Sequence, residues 1–316
     1  MPRPRKSLIN LSDTPYYHCV SRCVRRAYLC GEDSVTGKSY EHRRQWVEDR
    51  LLLLADVFCI DVCAYAVMNN HTHVVLRINK EKAEALSTQE VIGRWLKLYK
   101  GMLLCQRYIQ PDECTTMSDA EVETVKSLAE VYRYRLYDIS WFMRLLNEFI
   151  ARRANKEDEC TGHFWEGRFK SQALLDEASL AACMAYVDLN PVRARIAKTP
   201  ESSVHTSIKM RIQAARSSRQ PRSLLPFAGN PSNNMPDGIP FHLEDYLKII
   251  EFTGRHYHPD KPGKINDAEA PILSRVGLDN ADWNAMVAGI ETEFKTAVSI
   301  EKLSKIKKPI KRTLSA

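Results

Sequence analysis

The chain has 316 residues, 44% hydrophobic and 27% charged, with nine cysteines and a formal net charge of +7. These figures predict a globular protein with a core large enough for one or two domains. No apolar run nears the roughly 20 residues of a membrane-crossing helix, and MPRPRKSLIN lacks the apolar stretch of a secretory signal, so a cytoplasmic protein is expected.

The cysteines are odd in number and form no C-x-x-C pair, which argues against a zinc ribbon or a redox motif. They are expected to be small buried hydrophobes in a reducing compartment. Basic residues cluster at Arg3, Arg5 and Lys6, again from Lys209 to Arg222, and again from Lys302 to Arg312. One such cluster is commonly a solvated face; three with few acids among them favour a polyanionic partner.

In chain order, TPYYHCVSRCV (Thr14 to Val24) reads as a first strand, being rich in aromatic and β-branched residues. SYEHRRQWVEDRLLLLADVF carries apolar residues at helical spacing, including Trp46, Val47, Leu51, Leu54 and Val57. CIDVCAYAVM and HTHVVLRI read as two strands with a tight turn at Asn69–Asn70. A helix is expected from about Lys82 to Gln106, followed by an acidic insertion at about 111–130. ISWFMRLLNEFIARRANK reads as a helix, HFWEGRFKSQALL as extended, and DEASLAACMAYVDLN as a helix that stops at Pro191.

This order predicts an α+β fold: a ferredoxin-like antiparallel sheet with helices packed on one face, plus a small helical C-terminal region. The expected boundaries are a catalytic domain at 1–198, a Ser-, Pro- and Arg-rich linker at 199–240, and a helical region with a basic tail at 241–316. HLEDYLKIIEFTGR and DNADWNAMVAGIETEF are the helices expected in that last region.

Two short stretches carry chemistry. On a strand, His71 and His73 project from the same face with Thr72 turned away. Two imidazoles so spaced can hold one divalent ion, although an H-x-H pair alone is more often simply hydrogen-bonded. In AYVDLNPVRARI, Tyr186 and Asn190 are four apart and share a helix face. Taken alone, that tyrosine is ordinary packing and that asparagine an ordinary helix end.

Together, MNNHTHVVL followed by FWEGRFKSQAL and YVDLNPVRA resembles the IS200-like single-tyrosine (Y1, HUH-type) transposases, in the branch of REP-associated tyrosine transposases. YYHCVSR fits the opening strand of that family, and the resemblance spans about Leu11 to Ala197. The resemblance implies that His71, His73 and Asn190 hold a divalent metal, Mg²⁺ or Mn²⁺, and that Tyr186 is the nucleophile. It implies nicking and joining of single-stranded DNA that carries hairpins, through a 5′-phosphotyrosine, and a possible homodimer. Thr72 departs from the family, where that position is commonly hydrophobic.

A phenol ionises near pH 10, so Tyr186 needs activation by a base or a metal field. Arg168 and Lys170 alternate along GRFKSQ and are candidate phosphate contacts, with a solvated strand face as the equal alternative. Phe164 and Trp165 are assigned to packing in preference to base stacking. Two other functions stay open. One is a hairpin-DNA-binding protein without cleavage. The other is a metal-dependent hydrolase, which leaves Tyr186 without a role and lacks an acidic base beside the histidines.

Overall fold

The computed structural model describes residues 9–24, 28–217, 219–229, 237–256 and 297–298. The expected helix DNADWNAMVAGIETEF, the basic tail from Lys302 and the N-terminal cluster Arg3–Lys6 lie outside the described residues.

The chain begins with β1 (Tyr16–Arg22), α1 (Arg43–Val57), β2 (Ile60–Val67) and β3 (His71–Ile78). The strands and α1 fall within the expected segments, because alternating and helical apolar patterns both survive in the core. Next come α2 (Lys80–Ala85), α3 (Thr88–Leu96), α4 (Leu103–Tyr108), α5 (Pro111–Cys114), α6 (Asp119–Leu136) and α7 (Ile139–Glu157). The one helix expected over 82–106 is thus three. Ser87 starts α3 anew through a reciprocal capping box with Glu90, and Gly101 takes a left-handed φ of 69° between α3 and α4. The acidic stretch at about 111–130 holds α5 and most of α6, and its Val125 and Ala129 are buried in the main core.

β4 (Lys170–Leu174) and α8 (Glu177–Arg193) follow, then a 3₁₀ turn (Pro200–Ser202), α9 (Ser207–Ala215), α10 (Leu243–His256) and a two-residue strand β5 (Ala297–Val298). The sheet order is β2-β3-β1-β4-β5, antiparallel throughout except for the β4–β5 pair. The first four strands in this order form the split β-α-β arrangement of an α+β sandwich.

Both faces of the sheet are covered, which corrects the expectation of helices on one face. Tyr17, Cys19, Tyr65, Val74 and Leu76 face a core shared with α1, α3, α6 and α7. Ala64, Ala66 and Val75 face a second core with α8 and α10. Every residue of α8 from Ala178 to Pro191 is buried. A helix packed on all sides has no exposed polar stripe, and the polar residues it does carry, among them Asp188 and Asn190, meet partners inside the fold.

Residues 199–240 do not form a plain linker. Thr206 bridges to Ala66 beside the sheet, Ser207 Oγ accepts the Tyr65 N–H at 2.8 Å, and Leu225 N–H donates to the Val62 carbonyl at 2.9 Å. The Ser- and Arg-rich composition misled the reading because Thr206, Ser207 and Arg211 are fully buried polar residues. The partners of Ser207 and Arg211 include Tyr65, Asp188 and Cys63 on other segments, and composition does not reveal such pairings.

Candidate active site on the second sheet face

The site lies where the middle of the sheet meets the C-terminal half of α8. Register aligns its strand residues: His73 pairs with Val20 on β1 and with Ala66 on β2, His18 pairs with Gln172, and Arg22 with His71. Since side chains alternate across a strand, His71, His73, His18 and Gln172 all project toward α8.

His73 is fully buried and sits at the centre. Asn190 Nδ2 lies 3.0 Å from its Nε2, and His18 Nε2 lies 2.9 Å from its Nδ1. Burial, with His18, His71 and Arg22 nearby, holds the His73 imidazole well below its ordinary titration range. His71 is half-buried, its ring centroid 4.7 Å from that of His73, and its Nδ1 is 2.6 Å from the side-chain oxygen of Asn70. Tyr186 is 8% exposed, and its ring meets His73 edge-on with centroids 5.5 Å apart. The helix spacing therefore brings Tyr186 and Asn190 to the same imidazole.

Pro191 does not end α8, contrary to expectation. A proline removes its own N–H and leaves one carbonyl, that of Val187, without its usual partner. The following residues still close the turn. Ala194 N–H donates to Asn190 O at 2.9 Å, Arg195 N–H to Val192 O at 3.1 Å and Ile196 N–H to Pro191 O at 2.9 Å. Arg195 adopts a φ of 58°, so the helix stops in a Schellman-type cap at Arg195. The extra turn brings Arg193, seven residues after Tyr186, onto the same side. Its guanidinium carbon lies 5.0 Å from the Tyr186 ring centroid.

The two candidate phosphate contacts are both exposed, but they do not share a strand. Lys170 opens β4 opposite Val20, whereas Arg168 precedes the strand in a bend. β4 starts two residues after Arg168, although Phe169 between them is buried, so the two cations still flank an inward residue. Phe164 and Trp165 meet edge-on, and the Trp165 indole N–H donates to the Asn147 carbonyl at 2.8 Å, as packing residues do.

Asp188 points away from the site. Its carboxylate accepts from Ser207 Oγ, from the Ile208 N–H at 3.0 Å and from the Tyr246 hydroxyl at 2.6 Å. Burial pushes its carboxyl up to about 6, against the lowering effect of those donors and of Arg211. It ties α8 to α9 and α10, and is a structural group.

Among the described residues no three His, Cys, Asp or Glu side chains are grouped to hold a metal ion. The set expected from the sequence differs in using an amide as its third member. Two donors adjacent on an octahedral ion, each about 2.1 Å from it, are roughly 3.0 Å apart. The 3.0 Å separation of Asn190 and His73 is compatible with that spacing once the amide turns its oxygen inward. Oxygen and nitrogen of an amide exchange by a half-turn that leaves the packing unchanged. The imidazole of His73 and the amide of Asn190 therefore fit two adjacent positions on a small divalent ion.

His18, Gln172 and Arg193 were not singled out as site residues from the sequence. A histidine in the alternating strand YYHCVSR was the available signal for His18. Gln172 and Arg193 become visible only through strand register and the continuation of α8.

No family model matches the chain, and no curated protein matches it. Among solved structures, one described as a REP-associated tyrosine transposase bound to a REP hairpin aligns at 12% identity. The alignment covers 69% of this chain and 88% of that one with a TM-score of 0.35, a likeness too slight to carry an argument. Among the described residues no helix is long and apolar enough to cross a membrane.

Proposed function

We propose that the chain is a metal-dependent enzyme that nicks and joins single-stranded DNA carrying hairpins, through a 5′-phosphotyrosine at Tyr186. One observation carries the reading: Tyr186 and Asn190, one turn apart on α8, both meet His73 of the H-x-H strand. A structural H-x-H pair has no need of that convergence. Motif and geometry, arrived at separately, point to the same four residues.

In this reading His71, His73 and Asn190 hold Mg²⁺ or Mn²⁺, which supplies charge neutralisation at a non-bridging phosphate oxygen. The hydroxyl oxygen of Tyr186 bonds to phosphorus, and the bond from phosphorus to the 3′ oxygen breaks. The phenol loses its proton and the 3′ oxygen gains one, so the products are a phosphotyrosine and a free 3′-hydroxyl. Because the phosphodiester bond energy is retained, the 3′-hydroxyl can reverse the step and join strands.

Arg193, against the Tyr186 ring, supplies positive charge beside the nucleophile, and Arg22, opposite His71 on the exposed end of β1, supplies it beside the histidine pair. Arginine suits this place because its planar fork matches phosphate oxygens in pairs. Lys170 and Arg168 lie farther out as phosphate contacts that position the strand without reading sequence. A homodimer belongs to the same proposal.

The low exposure of Tyr186 favours one second reading, a hairpin-DNA-binding protein that does not cut. Incubating the full chain with labelled single-stranded hairpin DNA and Mn²⁺ or Mg²⁺ separates the two. The enzyme leaves a covalent protein–DNA band on a denaturing gel and a shortened strand with a 3′-hydroxyl. Binding without any such band under either ion overturns the nicking reading.

A further inference from the structure

We propose that His18 and Gln172 are positioning residues: with Asn190 they form a one-way hydrogen-bond chain that keeps His73 Nε2 unprotonated and Nδ1 protonated. The chain runs Asn190–His73–His18–Gln172. Its three links are 3.0 Å from Asn190 Nδ2 to His73 Nε2, 2.9 Å from His73 Nδ1 to His18 Nε2, and 2.7 Å from His18 Nδ1 to Gln172 Oε1.

A neutral imidazole donates at one nitrogen and accepts at the other. Two imidazoles in series must therefore run in the same direction. The amide of Gln172 selects that direction. Gln172 presents its oxygen, which can only accept, so His18 carries its proton on Nδ1. His18 Nε2 then accepts, so His73 carries its proton on Nδ1. His73 Nε2 is left with its lone pair, turned toward the amide of Asn190.

The reverse chain needs the Gln172 amide turned, and it puts a proton on the nitrogen that faces Asn190. That tautomer cannot bind a cation there. Metal-binding histidines are usually held by a partner on the other ring nitrogen, and loss of such a partner commonly costs 10- to 100-fold in affinity. Here the partner is a second histidine instead of a carboxylate, so the relay adds no negative charge to the buried site. His18 is 1% exposed and Gln172 8%, and strand register holds the two opposite each other, so the chain is shielded from competing water.

The inference rests on the proposed role of His73, and its test separates the two. The full chain, labelled with ¹⁵N-histidine, is examined by long-range ¹H–¹⁵N correlation, with the His73 signals identified by their loss in His73→Asn. The expected wild-type result is a protonated Nδ1 and a bare Nε2 on His73. Gln172→Met, similar in length but without the acceptor oxygen, should give a mixture of tautomers and bind Mn²⁺ about 10- to 100-fold more weakly by electron paramagnetic resonance. Gln172→Glu keeps an acceptor and should retain the wild-type tautomer. A protonated Nε2 in the wild type overturns the relay, as does a Gln172→Met protein that matches the wild type in both measurements. Absence of Mn²⁺ binding to the wild type removes the ion from the proposed function, while the tautomer still decides the relay.

Discussion

Asn190 and His73, 117 residues apart in the chain, meet at 3.0 Å across the interface between α8 and the sheet. The contact is buried at both ends, with Asn190 9% exposed and His73 0%. It joins the helix that carries Tyr186 to the strand that carries both histidines, so the site is one rigid unit placed on regular elements.

That union predicts unequal effects for the two histidines. His71→Ala and His73→Ala should each lower metal-dependent cleavage by about 10²-fold or more, since either removes one protein ligand of three. Their stabilities should diverge. His73 is fully buried with both nitrogens bonded, so its loss should cost about 2–4 kcal/mol through a cavity and unsatisfied neighbours. The half-buried His71 should cost under about 1 kcal/mol. Urea unfolding at one pH compares them, and equal losses would contradict this placement.

Tyr186→Phe removes one hydroxyl and keeps the ring that packs on His73. The covalent adduct should disappear, while affinity for hairpin DNA stays within about threefold and the melting temperature changes little. An adduct that persists in this variant assigns the nucleophile to another residue.

Arg193 supplies charge next to the Tyr186 ring at the end of the helix that runs past Pro191. Arg193→Gln should slow adduct formation by about 10²-fold with a smaller loss of DNA affinity, as expected for a contact that strengthens when charge builds on the phosphate. Arg193→Lys should recover part of the rate, since a point charge replaces the paired fork. Single-turnover rates at saturating DNA make the comparison, and no change in rate would place Arg193 outside the reaction.

Asp188 gathers a serine hydroxyl, a backbone N–H and a tyrosine hydroxyl in a fully buried setting. Asp188→Leu leaves the Ile208 N–H and the Tyr246 hydroxyl buried without this acceptor, and Ser207 Oγ with only the Tyr65 carbonyl at 3.3 Å, and should destabilise the fold by about 3–5 kcal/mol. Asp188→Asn keeps an acceptor oxygen and should cost about 1–2 kcal/mol. Thermal melting ranks the two, and near-equal values would mean that packing at this position outweighs its hydrogen bonds.

The sequence by itself determined the secondary elements that bear the site, because their signals are local. Alternation in YYHCVSR and HTHVVLRI places each residue on a face whatever the strand pairs with. The four-residue spacing of Tyr186 and Asn190 likewise holds on any helix. The order of strands and helices was enough for an α+β sheet of this type.

What only the tertiary structure decided depends on contacts between distant segments. His18 lies opposite Gln172 because β1 pairs with β4 in one particular register, and a shift of one residue would turn it to the other face. Arg193 reaches Tyr186 because the backbone bonds after Pro191 outweigh one lost partner, a balance set by the cap at Arg195. The stretch 199–240 reads as polar connection until Asp188, Tyr65 and Val62 supply partners for its buried groups. A polar residue is equally at home in water or in a satisfied interior, and only the completed fold provides the partner that chooses between them.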